Sequence, residues 1–232
     1  MKTYRYINIA IVCAATFFYG CSNSNNNTTT TTAASYEITI TNLTAAQPIA
    51  PVAVVLHTNG YNAGVLGSAA STGLEMLAEG GDNAQLLNDA RANIAVLNAV
   101  SGAGVLMPGA SEVITTTVSD NTGLALSIAG MLVNTNDGFA GLNGFSLTGL
   151  GVGESQVLPL AVYDAGTEAN VETAATLPGQ NGVGFDAARN DVNVISVHRG
   201  VVTASDGLTT SALNQSHRFD NPALRIKIRR IS

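Results

Sequence analysis

From Tyr36 onward the chain alternates, with Tyr36, Ile38 and Ile40 on one side and Glu37, Thr39 and Thr41 on the other. That period of two predicts a strand with one buried and one wet face. Leu224, Ile226 and Ile228 against Arg225, Lys227 and Arg229 repeat the pattern near the end of the chain, with Pro222 ahead of the strand, where its missing N–H does little harm. Residues 52–57 and 112–118 read as further strands. Residues 124–133, 157–163 and 192–198 are nearly continuous apolar runs, which predicts strands covered on both faces. One stretch breaks the pattern. Thr72-x-x-Glu75 reads as a capping box opening a short helix that Gly80-Gly81 stops, and Asp82-x-x-Gln85 as a second box for a helix reaching about residue 92. Glu75, Glu79 and Asp82 are then helix-end residues. Seven or eight strands, one helical insertion and no fixed repeat predict an all-β antiparallel sandwich.

Ahead of this pattern lies a segment of different character. Lys2 and Arg5 precede an apolar stretch over residues 7–19 and then Gly20-Cys21, the anatomy of an export signal. Phe18-Tyr19-Gly20-Cys21 resembles a bacterial lipobox, in which the cysteine receives a lipid and becomes the new N-terminus. Cys13 lies in the part removed, so Cys21 has no internal disulfide partner. An ordinary secretory peptide with a spare thiol is the alternative. Residues 22–35 hold only Ser, Asn, Thr and Ala, a flexible tether able to reach about 45–50 Å when stretched. The expected organisation is a signal peptide at 1–20, a lipid-anchored linker at 21–35 and one domain at 36–232. Ser22 after the cysteine points, by the sorting rule of enteric bacteria, to the outer membrane.

Composition adds limits. Loss of the first twenty residues removes two cations and takes the formal charge from −6 to −8. Such a balance argues against nucleic-acid binding, which leaves a basic footprint, and suits a domain in contact with cations at a cell surface. The cations Arg225, Lys227, Arg229 and Arg230 gather in the last strand, as a solvated face or as a contact for anionic glycans.

Enzyme signatures fail on inspection. Gly153-Glu154-Ser155-Gln156-Val157 lacks the closing glycine of a nucleophile elbow. Gly102-Ala103-Gly104 is followed by Met107 where a dinucleotide fingerprint needs Gly or Ala. His57, His198 and His217 lack the short helical spacing of a zinc site, although His57 and His198 each end a predicted strand and could meet. What remains is a set of carboxylates in turn-like settings. Asp164 ends an apolar strand, Gly166 permits a reversal that returns Glu168 toward it, and Asp137 sits in Asn134-Thr135-Asn136-Asp137-Gly138 one strand upstream. The spacing is not that of an EF-hand. Two readings stay open on the pattern alone: a hard-cation site, which needs several oxygens and a pliant backbone, or Asx turns that each Asp makes with its own backbone.

These same blocks carry a resemblance. The first strand, the Gln47-Pro48 turn, Val55-Leu56-His57, the helix end at Gly80-Gly81-Asp82, Asn136-Asp137-Gly138-Phe139, Tyr163-Asp164-Ala165-Gly166-Thr167-Glu168 and Val197-His198-Arg199-Gly200 resemble the spondin N-terminal domain family in its bacterial form. Animal relatives of the F-spondin and mindin type are eight-stranded sandwiches similar to calcium-dependent lipid-binding modules, with a bound calcium. The resemblance implies calcium as cofactor and Asp137, Asp164 and Glu168 as its ligands. Gly138 stands where an aromatic usually follows the Asp, and Glu168 where Asp is frequent. The animal cysteines and thrombospondin-type repeats are lacking, so integrin or matrix partners do not transfer. The expected function is a non-enzymatic, calcium-binding cell-surface domain for adhesion or capture of an extracellular ligand, with the membrane touched through the lipid anchor only. The alternatives are a hydrolase of envelope or extracellular polymer using Asp164, Glu168 and His198, and a purely structural envelope protein without metal.

Overall fold

The alternating segment at Tyr36 belongs to a strand that starts two residues earlier, at Ala34, in a computed structural model that describes residues 33–232. This strand, β1 (Ala34–Asn42), lies between β4 (Ser111–Val118) and β9 (Leu224–Arg230), antiparallel to both. The second sheet is built on β2 (Ala53–His57), which lies between β3 (Val96–Ser101) and β5 (Ala125–Met131), with β6 (Gly138–Ser146) beyond β5. The long strand β7 (Ser155–Asp164) joins the two sheets. Its residues 155–160 pair with β9 and its residues 161–164 with β6. Pro159 falls in the half paired on one side only, where a strand tolerates a missing donor. A two-residue strand, β8 (Ser196–Val197), pairs with the end of β7.

The resulting order is β3-β2-β5-β6-β7-β9-β1-β4. Its two ends meet where Asn98 Nδ2 donates to Thr116 Oγ1 at 2.8 Å. The sandwich is therefore a flattened, nearly closed barrel, which leaves little free sheet edge.

Burial explains the two kinds of hydrophobic pattern. Tyr36, Ile38, Ile40, Ile226 and Ile228 face Val54, Leu56, Leu126 and Ile128 across the space between the sheets. The other face of β2 and β5, with Ala53, Val55, Ala129 and Met131, packs on α1 (Thr72–Gly80) and α2 (Ala84–Ala92) through Leu74, Leu77, Leu86 and Leu87. Strands covered twice are apolar throughout, whereas β1 and β9 turn their second face to water and alternate. Each large core side chain contributes about 1.5–3 kcal/mol.

Local details differ from the sequence reading at four places. The cap of α1 is Ser71, whose Oγ accepts from Leu74 N at 3.2 Å, one residue before the expected Thr72. Glu75 consequently lies past the capping position and finds another partner. Asp82 does accept from Ala84 N at 2.9 Å, while Gln85 donates to Asp89 instead of reaching back. The expected strand at 192–198 shrinks to β8, because Asn193 takes a positive φ of 56° and its N–H bonds to Gly166 O. Strands β3 and β6 were not read from the sequence. The second is rich in glycine, and its pairing comes from neighbours on both sides.

Candidate cation site and the adjoining cleft

The register of β6 with β7 sets Gly138 opposite Asp164, so Asp137, one residue ahead of β6, lies beside the end of β7. The backbone there is shared: Ala165 N donates to Asp137 O at 3.2 Å. Beyond β7 the chain reverses at Gly166, whose φ is +70° and where an added Cβ would stand 2.5 Å from Val194 O. Only glycine fits both demands. The reversal returns the chain to Asp137, whose Oδ2 accepts from Thr167 N at 2.8 Å, Glu168 N at 3.1 Å and Thr167 Oγ1 at 3.3 Å. Asp137 is fully buried, and its Oδ1 has no hydrogen-bond partner. Asp164 is satisfied locally: Oδ1 accepts from Gly166 N at 2.8 Å, an Asx turn, and Oδ2 from Asn170 Nδ2 at 2.7 Å. The Asx reading thus describes Asp164 and not Asp137, which anchors a loop thirty residues away.

Electrostatics at this point are unfavourable to charge. Burial, with the Asp164 carboxylate beside it, pushes Asp137 up to about 7 against the pull of the Thr167 and Glu168 amides. Glu168 is also pushed up to about 7, first by burial and then by Glu79, Asp137 and Asp186, with Asn136 alongside opposing. Among the described residues the two ion pairs are Arg189–Glu75 and Arg218–Asp206, and neither involves these carboxylates. The donors are all oxygens and one buried carboxylate oxygen is unpartnered, a chemistry that fits a hard divalent cation. The ligand set is not closed, however: among the described residues no three His, Cys, Asp or Glu side chains are grouped to hold a metal. Asp137 and Asp164 are adjacent, whereas the Glu168 carboxyl feels Glu79 more strongly than Asp137.

Residues 165–223 contain little regular structure and are pinned by acids that the sequence reading left at helix ends. Glu75 makes a bidentate pair with Arg189, at 2.8 Å from Nε and 2.6 Å from Nη2, and the same guanidinium donates to Ala70 O. Glu79 Oε2 accepts from Asp186 N at 2.9 Å. The signal was present: two glutamates four apart share the face of α1 that buries Leu74 and Ala78, and a carboxylate is rarely buried there without a partner.

Next to these carboxylates a cleft of about 360 Å³ opens, lined in part by Asp164, Glu172 and His198. Glu172 sits at φ +56°, is 1% exposed, and accepts from Val202 N through Oε1 at 3.1 Å while Oε2 has no partner. Burial pushes it up to about 7, opposed by the Val202 amide. His198 Nδ1 accepts from Gly200 N at 2.9 Å, and Nε2 has no partner. Burial lowers its pKa, with Asp164 opposing. A Cβ on Gly138 would lie 3.0 Å from the His198 ring and 2.6 Å from Thr135 Oγ1, so Gly138 makes room for both. Sequence reading missed Glu172 altogether. Of the residues weighed for hydrolysis, Asp164 and His198 share this cleft and Glu168 does not line it.

The other singled-out residues resolve simply. His57 is a satisfied core histidine, with Nδ1 2.8 Å from Thr58 O and Nε2 2.8 Å from Ser127 Oγ, and it shares no partner with His198. Arg225, Lys227 and Arg229 project from the wet face of β9, and Arg229 lies opposite Glu37 in register. The export signal, Cys21 and most of the tether lie outside the described residues. No described helix is long and apolar enough to cross a membrane.

A family model described as Spondin_N matches residues 24–180 of the chain. No curated protein matches it. The matched part includes Asp137, Asp164 and Glu168, while His198 and β9 follow it in sequence, and β9 completes the same sheet.

Proposed function

The chain belongs to the spondin N-terminal domain family, a family of extracellular and cell-surface domains, and from that premise we propose that it is a calcium-binding domain that captures or adheres to an extracellular ligand without catalysing a reaction. One observation carries the cation: Asp137 Oδ1 is a fully buried carboxylate oxygen with no partner, beside the carboxylate of Asp164. Asp137, Asp164 and Glu168 would hold the ion, and its positive charge would offset the burial, and after it the neighbouring carboxylates, that now favour protonation at this point. The chain's own part is to hold the turn after β7. Asp137 binds the Thr167 and Glu168 amides, Gly166 permits the reversal, and the Glu75–Arg189 and Glu79–Asp186 contacts fasten the following loop to α1. A cation there would brace the loop that forms one wall of the cleft.

Cys21 would carry the lipid that tethers the domain to the envelope, and the outer membrane is the destination that Ser22 favours. The proposal is tested by thermal unfolding of the chain from Ser22 to Ser232 over a calcium titration, repeated with Asp164→Ala. Calcium raises the midpoint of the wild type and leaves the variant unmoved; no shift in the wild type sinks the metal reading.

A further inference from the structure

Two side chains of the cleft are held in place with nothing to bond. The backbone of Glu172 is fixed on both sides, its N–H to Asn136 Oδ1 and its carbonyl to Ala212 N, its carboxylate is held at Oε1 by Val202 N, and Oε2 stays an acceptor without a donor. His198 packs on Phe219 with ring centroids 5.3 Å apart and fills the space beside Gly138. Its Nδ1 is committed as an acceptor to Gly200 N–H, so in the neutral ring Nε2 carries the proton and is a donor without an acceptor. Both residues are more than nine-tenths buried, and buried polar atoms of this kind normally find a partner. One cleft of about 360 Å³ borders both, with Asn170 and Ser196 beside them and exposed Val192, Val197 and Val202 around them.

The chemistry of that wall selects the ligand. A simple cation would meet the Nε2–H donor and Arg199, and an anion would meet Asp164, Glu172 and Asp191. Hydroxyl groups match the chemistry of both orphans, since such a group can donate to a carboxylate and accept from an N–H. The valines offer an aliphatic surface for C–H groups, so the whole suits a ring with an apolar face and a hydroxylated edge. The volume falls within the range of small-molecule sites, about 300–1,000 Å³. We propose that the cleft between Glu172 and His198 is a saccharide subsite that takes one pyranose unit of an extracellular glycan. This rests on the reading of the chain as a ligand-capturing domain and not on calcium.

The test uses the chain from Ser22 to Ser232, which contains the whole compact unit. Saturation-transfer NMR is recorded with methyl glycosides of glucose, galactose, mannose and N-acetylglucosamine, and with putrescine as the cationic probe, in 5 mM calcium and in EDTA. At least one glycoside is expected to show transfer. Glu172→Gln and His198→Gln should each weaken it about tenfold or more, the loss of one hydrogen bond to a charged or buried group. Val192→Arg, a change at an exposed position, should block the cleft even if the buried variants fail to fold. Absence of transfer from every glycoside overturns the inference, as does transfer unchanged in the folded variants or transfer from putrescine alone. Glycoside transfer that persists in EDTA keeps this subsite even where the calcium reading falls. A calcium-dependent melting shift without glycoside transfer overturns the subsite alone.

Discussion

Replacing Asp137 by Asn should stabilise the domain without calcium, an advantage that calcium should cancel by stabilising the wild type alone. In the calcium-free protein, Asp137 is held at about 7 against an ordinary value of 3.8. The folded chain therefore binds more protons than the unfolded one between about pH 4 and 7, and stability falls as pH rises through that window. A shift of about three units corresponds to an upper limit near 4 kcal/mol at 1.36 kcal/mol per unit, and relaxation around the charge reduces it to about 1–2 kcal/mol. Asparagine keeps an oxygen for the Thr167 and Glu168 amides and carries no charge, so at pH 8 in EDTA Asp137→Asn should melt about 2–8 °C above the wild type. At pH 4 the two should melt together to within a few degrees. Calcium closes the gap. For a dissociation constant of about 10⁻⁴ to 10⁻³ M, typical of extracellular modules, 5 mM calcium adds about 1–2.3 kcal/mol to the wild type and nothing to the variant. Circular dichroism melts at both pH values, each in EDTA and in calcium, read all four states. A variant that melts below the wild type in EDTA at pH 8, and that calcium still raises equally, would refute the reasoning and leave Asp137 as a turn anchor only.

Other changes probe the frame around the site. Gly166→Ala forces a Cβ against Val194 O at a positive φ and should cost about 2 kcal/mol or more, with loss of any calcium-dependent shift in melting. Arg189→Ala leaves Glu75 buried without its partner and should cost about 2–4 kcal/mol; limited proteolysis should then cut within residues 166–195 well before the wild type is cut. Cys21→Ser should move the protein from the membrane fraction to the soluble one on cell fractionation, and unchanged retention would count against lipid anchoring. Leu126→Ala, in the fully buried layer between the sheets, should lower stability by about 2–5 kcal/mol in chemical denaturation without changing the calcium-induced increment.

The fold was legible where one strand's environment is uniform along its length. β1 and β9 face water on one side and alternate; β5 is covered twice and runs apolar. β6 was not legible, because Gly138 and Gly141 make room for His198 and for the Phe139 and Tyr163 rings, and Gly144 takes a positive φ where the pairing with β5 bulges, demands that come from other segments. Capping at α1 slipped by one residue because Ser71 and Thr72 are equally able caps and only the packed helix decides between them. At the candidate site the reversal at Gly166 was readable from turn chemistry, whereas the nearness of Asp137 to Asp164 comes from the pairing of β6 with β7. Glu172 was not readable, since it lies in a loop without periodicity and becomes notable only when folding buries its free oxygen. The pairing of Glu75 and Glu79 with a loop more than a hundred residues away is likewise a product of tertiary structure.

Equilibrium dialysis against radiolabelled calcium, at millimolar free ion and pH 8, examines the cation site itself. The wild-type chain from Ser22 should retain one calcium per molecule, and Asp137→Asn should retain none while remaining folded. Failure of the wild type to retain calcium, or equal retention by the variant, would contradict the assignment of the ion to Asp137, Asp164 and Glu168.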